Sequence, residues 1–330
     1  MGLISRFVVL SSAAVAVGTA LTGAAADAAS KPITIAYIQK QGDQQYFVDE
    51  AQGAKDEAKK LGDVIVNVAN VNMDANAAIS AMNVMIGQKV DGIAIVVPDQ
   101  QIGPQVIEMA KQAGIPLVAS DDTLKDAAGL TAPFVGFDGF DMGHKVGLEA
   151  GKLFKDAGWK PDETMIAAVY EQQLSVCQDR QNGQEAGFKE ATGGALPKIV
   201  KVGTDNSVVD AQNRMGAVVT ANPNVKRWIV WGCNDESETG AVTALSNASI
   251  PADNILGVGL GAYLTCKDWQ AEQKTGNKAA LFISGHDVGS AVIDVLVDKI
   301  RNGKELPAKT VANTTIVGPD NWKAVMGSCS

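Results

Sequence analysis

The chain of 330 residues has only two histidines, His144 and His286. One lies in "DMGHKVG", which reads as a helix surface, and the other in "SGHD", the start of a helix. No G-x-S-x-G or comparable Ser or Cys nucleophile pattern stands beside either, so a catalytic pairing of nucleophile and base is not expected. Cysteine is scarce: Cys177, Cys233, Cys266 and Cys329 are spaced too widely for a zinc pattern, and no metal site is expected. Lysines are dispersed and the formal net charge is −9, which argues against a nucleic-acid partner. "GVGLGA", 257 to 262, has glycines at i, i+2 and i+4 rather than the i, i+2 and i+5 of a dinucleotide fingerprint, so no cofactor is expected. After the first residues no apolar run is long enough to cross a bilayer.

Those first residues carry a different signal. "MGLISR" supplies one positive charge, "FVVLSSAAVAVGTALTG" is apolar and small, and "AAADAAS" offers a small-x-small cleavage pattern. Residues 1 to 28 read as a secretory signal peptide and not as a membrane anchor, which places the mature chain in an oxidising compartment. Four cysteines allow three connectivities there, and at least one bridge is expected. The remaining chain, about 300 residues, is long enough for two domains with separate cores.

From Pro32 on, short β-branched runs alternate with longer helix-like segments. "ITIAYI" precedes a helix through "VDEAQGAKDEAKKLG", "VIVNVA" precedes "NAAISAMNVMIGQ", "GIAIVV" precedes "GPQVIEMAKQAG", and "PLVAS" precedes a helix through "DDTLKDAAG". After "PFVGF" and the helix "DMGHKVGLEAGKLFKDAG" the alternation restarts with "MIAAVY", "KIVKV", "RWIVWG" and "ILGVGL", the last leading into a helix through "LTCKDWQAEQKTG". Strands apolar at consecutive positions belong to parallel sheets covered on both faces. The repeated order predicts two similar doubly wound α/β domains, with "AALFIS", a helix and "TTIVG" completing sheets already begun.

Ligands of open α/β sheets lie beyond the carboxyl ends of the strands. The residues there are hydrogen-bonding and aromatic: Lys40, Gln44, Tyr46, Phe47, Asp121, Asp122, Phe137, Arg180, Asn234 and Asp235. Ionised groups make strong bonds to hydroxyls, and aromatic rings pack on the C–H faces of a sugar, so the set suits a neutral polyol. Each has a plainer structural reading. Asp121-Asp122 could cap and begin a helix, Arg180 could be a surface residue, Asn234 could cap "ESETG", and Tyr46-Phe47 could be the buried face of a helix.

"KQGDQQYF", "VVPD", "VASDD", "GWKPDETMIAAV", "CQDRQNG", "VKRWIVWGCND" and "GPDNW" together resemble the periplasmic sugar-binding proteins of ABC importers, over residues 32 to 326. The group includes ribose-, galactose- and arabinose-binding proteins, and the likeness is strongest to the arabinose type. It implies a periplasmic binding protein type I architecture with three hinge crossovers near 137 to 140, 283 to 286 and 312 to 314. The first domain would take 32 to 137 and 285 to 312, the second 138 to 284 and 313 to 330. The implied sugar contacts are Lys40, Gln44, Tyr46, Phe47, Asp121, Asp122, Phe137, Arg180 and Asn234, with the aspartates at the ring oxygen and the hydroxyls near the anomeric carbon.

The likeness has departures. Gln44 stands where an acid is usual, Cys233 and Phe137 where methionine is usual, and Gly261 and Leu264 where relatives carry an asparagine and an acid. The lost groups could be replaced by Tyr263, Glu171 or His286, or the ligand could be a sugar alcohol or deoxy sugar. What the resemblance implies is capture of a monosaccharide by a monomer in the periplasm and its delivery to a membrane permease, with a chemoreceptor as a further partner. A regulator's effector domain shares the architecture but needs a DNA-binding helix-turn-helix, and an exported sugar-modifying enzyme needs the missing nucleophile and base.

Overall fold

The computed structural model describes residues 31–329 and Gly2, so the expected signal segment lies outside the described residues. The strands run β1 (Ile33–Gln39), β2 (Val64–Asn70), β3 (Gly92–Ile95), β4 (Leu117–Asp121), β5 (Phe134–Gly136), β6 (Thr164–Tyr170), β7 (Lys198–Gly203), β8 (Arg227–Gly232), β9 (Ile255–Gly261), β10 (Asn277–Ile283), β11 (Thr310–Val311) and β12 (Thr314–Val317). They form two six-stranded sheets, in the orders β11-β5-β4-β3-β1-β2 and β12-β10-β9-β8-β6-β7. β1, β3, β4, β6 and β9 are almost wholly buried, as consecutive apolar residues between two helical layers require. Among the described residues every pairing between these strands is parallel except β10 with β12, so the second sheet ends in an antiparallel edge that the repeat pattern did not reveal.

The helices are α1 (Gln45–Leu61), α2 (Ala75–Gly87), α3 (Gly103–Ala113), α4 (Gly139–Asp156), α5 (Ser175–Thr192), α6 (Val208–Ala221), α7 (Asp235–Asn247), α8 (Thr265–Gln270), α9 (Gly285–Asn302) and α10 (Trp322–Met326). The chain passes between the sheets three times: after β5, between β10 and α9, and between β11 and β12. One apolar cluster joins the inner helical layers of both halves, and two more fill the outer layers, under α2 and α3 and under α6 and α7.

Two of the helix pairs that pack at backbone distance involve the crossovers. A Cβ on Gly143 of α4 would collide with the Arg180 carbonyl of α5, and one on Gly285 of α9 would collide with the Tyr46 carbonyl of α1. The helix that follows each of the first two crossovers is thus seated directly on the helix that carries candidate site residues.

Three expected helices come out differently. Residues 122–129 form no helix: the Asp126 carboxylate accepts from the N–H groups of Ala128 and Leu130 and folds the segment into a turn closed by a Lys125–Thr131 bridge. The helix expected over 264–276 stops at Gln270, where the Asp268 carboxylate turns to accept from Thr275 and Asn277. Conversely α1 begins at Gln45, three residues earlier than "VDEAQ" suggests, and so carries Tyr46 and Phe47 on its first turn.

Candidate functional site

The carboxyl ends of both sheets face a common cleft with about 600 Å³ of empty space, mouth included. Its first wall comes from the β1–α1 junction and the end of β4. Tyr46 and Phe47 meet edge to face with ring centroids 5.1 Å apart. Lys40 forms a buried ion pair with Asp122 and lies 5.9 Å from the Phe47 ring centroid. Tyr46 Oη donates to Asp121 Oδ1 over 3.0 Å. Beneath them Tyr37 and Ser120 hydrogen-bond to Glu50, which is fully buried.

The second wall comes from α5 and from the ends of β7, β8 and β9. Arg180 is buried and donates through Nη1 to the Cys233 carbonyl at 2.8 Å. Asn234 Nδ2 donates to the Asn206 carbonyl at 3.0 Å, and Asn234 Oδ1 accepts from the Ser237 N–H, capping α7. A disulfide joins Cys177 to Cys233, and both residues line the cleft. A second one joins Cys266 to Cys329.

Burial sets the electrostatics. The Asp121 carboxyl is pushed up by desolvation and by the neighbouring Asp122 charge, against the pull of Arg180 and Lys40. Burial, with Asp121 next, raises Glu50 to about 8. Glu236 rises to about 7 through burial and the charge of Asp235. Asp122 Oδ1 and Arg180 Nε are buried and find no hydrogen-bond partner among the described residues. Both residues line the cleft, so an acceptor on one wall and a donor on the other stand without a protein partner.

The backbone is also unusual here. Gln41, Asp121, Asn206 and Ala262, in or beside the cleft, have positive φ of 47°, 59°, 65° and 68°. Such conformations cost energy and gather at binding sites, where surrounding contacts hold them.

Eight of the nine implied contacts line the cleft: Lys40, Gln44, Tyr46, Phe47, Asp121, Asp122, Arg180 and Asn234. Phe137 does not. Its ring turns into the core behind Tyr46, with centroids 6.4 Å apart, and borders a separate neighbouring cavity. Asp235 lines the cleft, but its carboxylate is taken up by the N–H groups of Leu264 and Thr265 and by the Thr265 hydroxyl. Of the suggested replacements only Tyr263 reaches the cleft; His286 pairs with Asp56 on the helix surface, and Glu171 faces a separate groove. The helix-cap reading of Asp121-Asp122 fails because no helix follows. The cap reading of Asn234 holds alongside its place in the wall.

Asn206, Gln41 and Glu236 were missed by sequence reasoning. Asn206 lies three residues past β7, so the strand-end rule finds it once that strand's end is included with the others. Gly261 has φ 134°, a conformation open to glycine, and a Cβ there would press on Asp235 at 3.1 Å. That close approach explains why no side chain stands there.

Two α/β lobes with strand ends facing across a polar, aromatic-walled cleft, and three crossovers between them, form a capture architecture for a small molecule. The chain belongs to the periplasmic binding protein family: residues 35–305 match the family described as periplasmic binding protein domain. It is 28% identical over 306 residues to the ABC transporter L-arabinose-binding periplasmic protein of Azospirillum brasilense, covering 90% of each chain. It is 24% identical over 301 residues to the L-arabinose-binding periplasmic protein of Escherichia coli K12, covering 90% of this chain and 91% of that one. Among solved structures, an ABC transporter periplasmic solute binding protein from Actinobacillus succinogenes 130z with bound D-allose superposes with a TM-score of 0.76 at 25% identity, covering 88% of this chain and 99% of that one.

Proposed function

We propose that this protein captures a monosaccharide of the arabinose or galactose type in the periplasm and delivers it to an ABC importer, without chemical conversion. The observation that carries the reading is the pairing of an unsatisfied acceptor, Asp122 Oδ1, with an unsatisfied donor, Arg180 Nε, across a cleft that also presents Tyr46 and Phe47. A sugar supplies hydroxyls that answer both, and C–H faces for the rings. The relatives' names agree with that chemistry. Lys40, Gln44, Tyr46, Phe47, Asp121, Asp122, Arg180 and Asn234 would be the contacts, with Asn206 added and Phe137 supporting Tyr46 from behind.

The two domains, 32 to 137 with 285 to 312 and 138 to 284 with 313 to 330, would close by bending at the three crossovers. Closure is then a population shift that the ligand stabilises. A sugar alcohol or deoxy sugar is the second reading, favoured by Gly261 and by the engagement of Asp235, which leave the second wall with fewer free polar groups. The test is a thermal-shift screen of pentoses, hexoses, deoxy sugars and polyols, followed by calorimetry and small-angle scattering. At least one should raise Tm and contract the protein. A flat response across all four classes, or turnover of a sugar, would overturn the reading.

A further inference from the structure

The Cys177–Cys233 bridge sits within the cleft wall, and the polar side chains of that wall are built around it. Cys177 lies on the first turn of α5, one turn before Arg180, and Cys233 directly precedes Asn234. Arg180 Nη1 donates to the Cys233 carbonyl at 2.8 Å and approaches Cys233 Sγ at 3.7 Å. Asn206 Nδ2 approaches Cys177 Sγ at 3.5 Å, and the Asn206 carbonyl accepts from Asn234 Nδ2 at 3.0 Å. Arg180, Asn206 and Asn234 thus each touch one half of the bridge or follow it in the chain. The Cys266–Cys329 bridge offers a contrast: it ties α8 to the end of the chain beside Trp269 and Trp322, and lines no part of the cleft.

We propose that Cys177–Cys233 is a positioning element of the ligand site, holding Arg180, Asn206 and Asn234 in binding geometry before the ligand arrives. The use made of this geometry rests on the monosaccharide reading. A long arginine side chain left free loses rotamer freedom when a ligand engages it, and a first turn of helix left free can fray. Cross-linking that turn to the β8–α7 junction meets both costs during folding rather than during binding.

The test compares two double variants, C177S/C233S and C266S/C329S, each made in the full chain. Two readouts are taken: the affinity and dissociation rate for L-arabinose, D-galactose, D-ribose and D-allose, and the ¹⁵N order parameter of the Arg180 Nε–H in unliganded protein. The chain has only five arginines, which makes that signal assignable. C177S/C233S should bind at least tenfold more weakly, chiefly through faster dissociation, and should show a mobile Arg180. C266S/C329S should melt earlier but keep its affinity within twofold and Arg180 rigid. C177V/C233A, which refills the sulfur volume with carbon, provides the same readouts in a chain without buried hydroxyls. An Arg180 equally rigid without the cleft bridge, or an unchanged affinity, overturns the proposal. The order parameter needs no sugar, so a wild-type protein that binds none of the four removes the monosaccharide reading and leaves the positioning role to be decided by Arg180 alone.

Discussion

The two walls of the cleft solve the same problem by different means. On the first wall ionisable groups meet side chain to side chain: Lys40 pairs with Asp122, Tyr46 with Asp121, and beneath them Glu50 accepts from Tyr37 and Ser120. On the second wall Arg180 and Asn234 donate to backbone carbonyls, and a disulfide closes the frame. The geometry of the first wall therefore depends on protonation, and that of the second on covalent connection. A buried acid cluster is costly when empty because its charges are desolvated.

The largest effects should come from removing one ionic group from each wall. Asp121→Asn keeps a residue that tolerates positive φ but deletes the charge; it should weaken sugar binding by about 3 kcal/mol, roughly a hundredfold in Kd. Burial raises the Asp121 carboxyl, so its ionised form strains the empty protein and the variant should melt no earlier than wild type. Arg180→Ala should cost about 2 kcal/mol of binding and change unfolding of the empty protein by about 1 kcal/mol or less. Calorimetry with the cognate sugar and denaturant unfolding check both. Undiminished affinity in Asp121→Asn would mean that the ligand lies elsewhere.

Smaller losses are expected from the helix contacts behind each wall. Gly143→Ala and Gly285→Ala place a methyl group against the carbonyls of Arg180 and Tyr46, and each should lower stability by about 1–3 kcal/mol and weaken binding as well. Gly216→Ala on α6, where a Cβ meets nothing, should instead stabilise by about 0.5–1 kcal/mol and leave binding alone. Equal behaviour of all three would show that the close helix contacts do not transmit to the cleft.

The alternation of apolar runs and helical segments made both sheets legible, because strands buried on both faces show the pattern plainly. The candidate site was legible for the same reason: strand ends are where such sheets bind, and Lys40, Tyr46, Asp121 and Arg180, which line the cleft, could be picked by position alone. What stayed hidden depends on side chains reaching across sequence. The Asp126 turn replaces a helix that local composition favours, and the antiparallel β12 depends on where the last crossover sets the chain down. Asp235 looks like any strand-end acid until Leu264 and Thr265 close on it. Phe137 takes a contact position by resemblance, yet its ring packs beside Tyr46 and does not line the cleft. Disulfide pairing lies beyond sequence reasoning because three connectivities are equally open.

The subtlest way to separate the walls is by pH. Burial and Asp121 raise Glu50 from near 4.5 to about 8, so the folded state binds a proton there that the unfolded chain releases. The resulting stability is fully present below the unfolded value of about 4.5 and is lost as pH rises towards 8. Each pH unit inside that window changes stability by at most about 1.4 kcal/mol, on the order of 2–4 °C in Tm for a chain of this size. Glu50→Gln mimics the protonated acid and keeps an oxygen to accept from Tyr37 and Ser120. Its melting temperature should match wild type near pH 5 and exceed it by several degrees near pH 9. Glu236, raised to about 7 on the opposite wall, gives the same sign over a narrower range, so some slope should survive in the variant. If wild type and Glu50→Gln melt in parallel from pH 5 to 9, the first wall is not held by a proton, and the contrast between the walls reduces to the disulfide alone.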